Sequence, residues 1–227
     1  MQYNREDPGA TRVVTLDIET THYEPSQGEV VSIGVAEHER GGSPDDVTYH
    51  LIHRDGAGEA DTIQRGLGTM ATANPELLVS FNGKSFDLDF LRQRMHRLGE
   101  SVDRFEMPPM RHIDLFTDRQ QKASRIGEKW PKLEECLESY GLTPATTRWK
   151  GQEVTNKRFG EELGPAYLRA VQDGAQESIR ALEPVVDHYL TTDLEANLCL
   201  FYADIGEAFD PVHLGSERTF SAVSASD

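Results

Sequence analysis

The stretch Arg12–Thr20 (RVVTLDIET) decides how the rest of the chain is read. β-Branched residues dominate it, and Leu16 and Ile18 alternate with Asp17 and Glu19, the period-two pattern of a β-strand. The turn-rich segment HYEPSQG follows, and residues 29–37 (EVVSIGVAE) then read as its hairpin partner. After GGSPDD, residues 47–53 supply a third strand with Val47, Tyr49 and Leu51 on one face. Three strands joined by short loops predict an antiparallel meander.

Downstream the rhythm changes from strands to alternating helices and strands. Residues 60–73 suit a short helix and residues 77–81 a buried strand. The turn NGKS leads into a helix on which Phe86, Phe90, Leu91, Met95 and Leu98 recur at helical spacing, stopping near Gly99. Residues 111–116 (RHIDLF) read as a fifth strand and residues 133–140 as a helix. The polar segment RWKGQEVTNKR is expected to be a loop. Helices are expected over 165–173 and 175–209, the second kinked or divided at Pro184. Residues 1–11 are expected to be loose, 12–209 to form one domain, and 210–227 to be a disordered Ser/Ala-rich tail. The expected fold is therefore α/β: a mixed five-stranded sheet, three antiparallel strands and then two parallel ones, flanked by helices.

Composition bounds the function. The 227 residues carry 23 Lys and Arg against 39 Asp and Glu, a formal net charge of −16. No apolar run approaches the ~20 residues that a membrane span needs, and the polar N-terminus lacks a signal core, so no membrane partner is expected. Cys136 and Cys199 are too few for a disulfide framework or a zinc site, which suits a cytoplasmic protein. The cations are 17 Arg and only 6 Lys, an acid-rich and lysine-poor balance that resembles halophilic proteins. A uniform negative field repels nucleic acid, but residues 111–158 hold ten cations and seven acids and so run against the rest of the chain.

Three motifs carry chemistry. Asp17 and Glu19 leave the same face of a strand, where paired carboxylates repel unless a cation such as Mg²⁺ or Mn²⁺ shares them. Alone, such a pair is an ordinary solvated strand face. Asp87, in FNGKSFDLDFL, opens the helix after the fourth strand, where it could equally be a first-turn acid favoured by the helix dipole. In HYLTTD, Tyr189 and Asp193 are four apart and share a helix face, and an Asp beside a core stripe is common. His50 and His53 are expected to be solvated histidines, and no phosphate-cradling glycine loop or Gly-x-Ser-x-Gly elbow is present in the sequence.

The ordered set D-x-E, N-G-x-x-F-D and Y-x-x-x-D resembles the DEDD superfamily of 3′–5′ exonucleases, which have an RNase H-like fold. The second motif is most similar to the proofreading exonuclease domain of B-family DNA polymerases and its stand-alone relatives. The resemblance covers roughly residues 12–205. It implies a free-standing exonuclease acting on single-stranded or frayed DNA 3′ ends by a two-metal mechanism. Two divalent cations, Mg²⁺ or Mn²⁺, would be held by Asp17, Glu19, Asp87 and Asp193. Tyr189 would orient the attacking water. His188 also fits, since the superfamily's last motif takes either Y-x3-D or H-x4-D, although the i,i+4 spacing favours Tyr189. The resemblance places Asn82 and Phe86 at the terminal nucleotides. Arg148, Trp149, Lys150 and Arg158 could hold a single strand through charge and stacking. Trimming of RNA 3′ ends, or a non-catalytic module that binds nucleic acid or protein, are the alternatives.

Overall fold

The computed structural model describes residues 1–100 and 110–221. The five strands are β1 (Arg12–Thr20), β2 (Val30–Glu39), β3 (Thr48–His53), β4 (Leu77–Ser80) and β5 (Arg111–Asp114), in the order β3-β2-β1-β4-β5. β2 pairs antiparallel with both β1 and β3, whereas β4 runs parallel to β1 and to β5. This is the expected sheet, and the parallel half follows because β4 and β5 are reached over the helices α1 (Glu59–Thr72) and α2 (Asp87–Arg97).

β1 is central, so both of its faces are buried. Val14, Leu16 and Ile18 pack with Ile63 and Met70 of α1 and with Phe90, Leu91 and Met95 of α2. The opposite face, carrying Val13 and Val79, packs against Leu190, Leu194 and Leu198 of a long helix, Gln176–Ile205. That helix is α7 when the short helices α3 (Leu115–Ile126), α4 (Leu133–Ser139), α5 (Asn156–Arg158) and α6 (Gly164–Gln172) are counted in order. It runs unbroken through Pro184, so the expected division there does not occur. One residue of β2 sets how close α7 comes. A Cβ on Gly34 would stand 2.7 Å from Leu194 Cδ1 and 2.8 Å from Leu190 Cγ, so only glycine permits this approach. Gly34 pairs with Asp17, which brings the turn of α7 around Asp193 directly over that carboxylate's strand.

Four expectations need correction. The fifth strand ends at Asp114, whose carboxylate accepts the N–H groups of Phe116 and Thr117 and so starts α3 inside the motif RHIDLF. The supposed loop is a hairpin of β6 (Thr146–Trp149) and β7 (Gln152–Glu153), turned by Lys150 and Gly151, both at positive φ. The supposed tail adds β8 (Glu217–Phe220) beside β6, and buried Glu195 on α7 accepts the N–H groups of Val212, His213 and Leu214 ahead of it; residues 222–227 lie outside the described residues. The N-terminal segment has no regular structure but is tied down. Arg5 bonds Asp118 and Asp204, and Asp204 also pairs with the buried Arg119. Among the described residues no helix is long and apolar enough to cross a membrane.

Candidate metal and nuclease site

Asp17 and Glu19 project from the C-terminal end of β1 toward α7, on the face shared with Val13. Asp193 meets them from α7: one carboxylate oxygen from each of the three lies within 4.8 Å of the others. Asp87 is not within that set. It is the first residue of α2, 3 % exposed, and its charge acts on Asp17 and Glu19 while that of Asp193 acts on it. The turn that delivers it is tightly made. A Cβ on Gly83 would clash with Ser80 Oγ and stand 3.1 Å from the Asp87 carboxylate. Asn82 sits at φ 71°, a left-handed conformation that Asn tolerates better than most residues.

The electrostatics of the cluster are those of acids with no counter-charge among the described residues. Burial pushes all four carboxyls above their usual range, and mutual repulsion adds to it: Asp87 raises Asp17, Asp17 and Asp193 raise Glu19, and Asp17 raises Asp193. Asp87 is pushed up to about 8, by burial first and then by Asp114 and Asp193. Acids so placed ionise together only when a cation shares them. Their all-oxygen donor set suits hard divalent ions. The residues present therefore fit such a metal.

α7 separates Tyr189 from His188. Tyr189 lies one turn before Asp193, stacks on Phe159 at 5.4 Å, and donates its hydroxyl to Asn156 Oδ1 at 2.6 Å. Burial, followed by the charges of Asp193, Glu19 and Asp17, holds its phenol well above the ordinary range. His188 points instead into the β7-β6-β8 sheet. Its Nδ1 lies 2.7 Å from Thr147 Oγ1 and its ring packs near Phe220. Burial, with help from Arg218 and His213, lowers its pKa to about 4, so the ring is neutral.

The other sequence-derived residues divide. Phe86 is half-buried, packed on Phe90 beside the Asp87 turn, and Asn82 is half-buried within it. The hairpin is a different matter. Trp149 is 2 % exposed and sits in a core with Phe159 and Tyr167, so it offers no ring face to a base. Arg148 is paired with Glu217, and Arg158 bonds Glu162 and the carbonyls of Trp149 and Gln152. Of this group Lys150 alone stays exposed without an ion pair among the described residues, its ammonium 4.1 Å over the Trp149 ring. His50 and His53 are not a metal pair. His50 bonds Glu37, and His53 links Ser32 to Asp187. That Ser-His-Asp chain is no nucleophile either, since Ser32 is fully buried.

Three residues at the site carry no sequence signal of their own. Asn156 fixes the Tyr189 hydroxyl. Asp114 accepts the N–H groups of Asn82 and Lys84, 2.9 and 3.0 Å away, and so holds the turn before Asp87. Exposed Glu134, in the first turn of α4, is near enough for its charge to raise both Asp193 and Tyr189. Each depends on a contact across long sequence separation.

The family model for the RNase_H superfamily matches residues 14–190. The chain belongs to this superfamily. Its RNase H-like sheet places Asp17 and Glu19 on the central strand, inside the matched segment, while Asp193 lies three residues beyond it. Among solved structures, a family B DNA polymerase from the hyperthermophilic archaeon Pyrobaculum calidifontis is 16% identical with a TM-score of 0.49; the match covers 89% of this chain and 28% of that one. E. coli Exonuclease I in complex with a dT13 oligonucleotide is 10% identical with a TM-score of 0.39, covering 58% of this chain and 36% of the other. The chain thus spans under a third of the polymerase and about a third of the exonuclease. No curated protein sequence matches it.

Proposed function

We propose that the protein is a divalent-metal-dependent 3′–5′ exonuclease that removes nucleotides from single-stranded or frayed DNA 3′ ends. The observation that carries this reading is the convergence of Asp17, Glu19 and Asp193 within 4.8 Å, with the charge of Asp87 acting on Asp17 and Glu19 from the turn between β4 and α2. Asp17, Glu19 and Asp193 would hold one Mg²⁺ or Mn²⁺ ion, and Asp17 and Asp87 would share a second. Bound ions would activate the attacking water and stabilise the charge developing on the leaving 3′ oxygen.

The remaining work falls to side chains of the chain itself. Water adds to the terminal phosphorus, the bond from phosphorus to the 3′ oxygen breaks, and that oxygen ends protonated. Tyr189 cannot serve as a base at neutral pH, because its phenol is held far above the usual ~10. With its own proton committed to Asn156, its oxygen remains free to accept from the water and fix where the water points. His188, bonded to Thr147 in the other sheet, takes no part. Asn82 and Phe86, in the turn that precedes Asp87, would touch the terminal nucleotide.

The test incubates the purified protein with 5′-labelled and 3′-labelled DNA and RNA oligonucleotides, with Mn²⁺ or with chelator. A chelator-sensitive ladder from the 5′-labelled DNA strand is expected. A ladder from RNA alone would make this a 3′-trimming ribonuclease, and inert substrates throughout would leave a non-catalytic binding module.

A further inference from the structure

Beside the carboxylate cluster lies a row of aromatic rings that ends in open solvent. Its inner member is Phe81, which follows β4. The parallel register pairs Thr15 with Val79, so Phe81 leaves the sheet level with Asp17 and on the same face. Phe116 tilts against Phe81 at 5.3 Å, and Trp130 stands edge-on to Phe116 at 6.1 Å. Trp130 is 53% exposed. Its indole N–H donates to Ser124 Oγ at 2.9 Å, which fixes the ring while leaving its surface open. The row therefore ends in an indole with one face open to solvent.

Charge at the outer end of the row is mixed, with Lys129 and Lys132 beside Glu128, Glu134 and Glu135 in the chain. The backbone N–H of exposed Lys84 shares the Asp114 carboxylate with that of Phe116, and the Lys84 charge acts on His112. Exposed Lys129 and Lys132 flank Trp130 in the chain, Lys129 reaching only a long 4.0 Å contact with Glu135. Three of the 6 lysines of a chain with net charge −16 thus lie within three residues of Phe81 or Trp130 in sequence.

We propose that Phe81, Phe116 and Trp130 form a stacking platform for the unpaired bases of a single-stranded nucleic acid, with Lys84, Lys129 and Lys132 taking its phosphates. Aromatic faces bind bases only when those bases are not already stacked in a duplex, and lysines along the same path meet the backbone. The platform takes over the role expected of the Arg148–Arg158 hairpin, whose tryptophan is buried. That the strand travels from Trp130 inward to the carboxylates rests on the exonuclease reading; the platform itself does not.

The test uses the full chain in chelator, so that no strand is cut. Of the 2 tryptophans, Trp149 is 2 % exposed, so a fluorescence change on binding reports Trp130. Single-stranded oligo(dT) and oligo(U) are titrated alongside a duplex of equal length, with Kd taken from the anisotropy of labelled oligonucleotide. We expect one or both single strands to quench the wild type and the duplex not to. Trp130→Leu should abolish the quench and raise Kd between about fivefold and a hundredfold, the span of one lost base–aromatic stack. Trp130→Phe, which keeps a ring, should retain most of the affinity. Unchanged affinity in Trp130→Leu, or equal quenching by duplex, overturns the platform. If Trp130→Leu loses affinity while Mn²⁺ yields no cleavage by the wild type, the platform stands and the exonuclease reading falls. Cleavage with unchanged Kd in Trp130→Leu gives the converse.

Discussion

Asp87 concentrates the electrostatic cost of the site in one side chain. Its carboxyl, pushed up to about 8, keeps in the folded state a proton that the unfolded chain gives up near ~4. Its favourable contribution is therefore complete below the unfolded value and is lost as pH rises through about 8. Metal-free Asp87→Asn should exceed the wild type in Tm, and thermal melts should show the gap widening between about pH 5 and about pH 8. Mn²⁺ should raise the wild-type Tm, more at the higher pH, where ligation displaces fewer protons. A gap that stays flat between about pH 5 and about pH 8 would mean that Asp87 is already ionised without metal. The neighbouring pair Tyr189 and His188 gives a second test. Tyr189→Phe and Asn156→Ala should each lower kcat about tenfold to a hundredfold, the usual cost of losing an orienting partner at a metal site. His188→Ala should leave kcat near wild type and cost about 1–3 kcal/mol of stability by stranding Thr147.

At the scale of elements, the turn between β4 and α2 depends on the next strand along. Asp114 accepts four backbone N–H groups, those of Asn82, Lys84, Phe116 and Thr117. Asp114→Ala would leave these donors without their carboxylate, at about 1–3 kcal/mol for each one that stays buried. Tm and kcat should fall together, while Asp114→Asn, which keeps one acceptor oxygen, should recover part of both; unchanged kcat in Asp114→Ala would show that the turn holds itself. The same residue explains where the sequence was hard to read. Alternation in β1 to β3 and the helical spacing of Phe86 to Leu98 are local patterns, so the sheet and the strand–helix delivery of Asp17, Glu19 and Asp87 were legible. Alternation also runs on through RHIDLF, and only the capping bonds of Asp114 reveal that a helix has begun at Leu115. The burial of Trp149 was equally hidden, because its core is closed by Phe159 and Tyr167 and by Phe220 on β8. Strand β8 in turn follows a segment anchored by Glu195, a mid-helix acid whose three N–H partners are unremarkable in sequence. Asn156 and Glu134 escaped notice for the same reason: nothing beside them in the chain marks what they approach.

For the whole molecule, the net charge of −16 must be reconciled with the polyanionic substrate proposed above. At ~0.1 M salt the Debye length is ~10 Å, so acids across the surface repel one another and the strand; near ~1 M it is ~3 Å and only adjacent charges interact. Self-repulsion destabilises the compact state, so added salt should stabilise this fold, as the acid-rich, lysine-poor balance of 39 acidic residues against 6 lysines suggests. Binding at the lysine-flanked platform should move the other way, because each phosphate neutralised by a lysine releases a counterion and salt opposes that release. Thermal melts across KCl from about 0.1 to about 2 M should therefore show Tm climbing while the affinity for oligo(dT) falls. Reversing Lys84 and Lys129 to glutamate should flatten the slope of log Kd against log salt while Tm still climbs with salt, since four units of charge move the net of −16 further from zero. If Tm is flat or falls with salt, the acidic surface is not an adaptation to it. If affinity instead rises with salt, repulsion by the acidic surface outweighs the local lysines, and the strand must enter by another path.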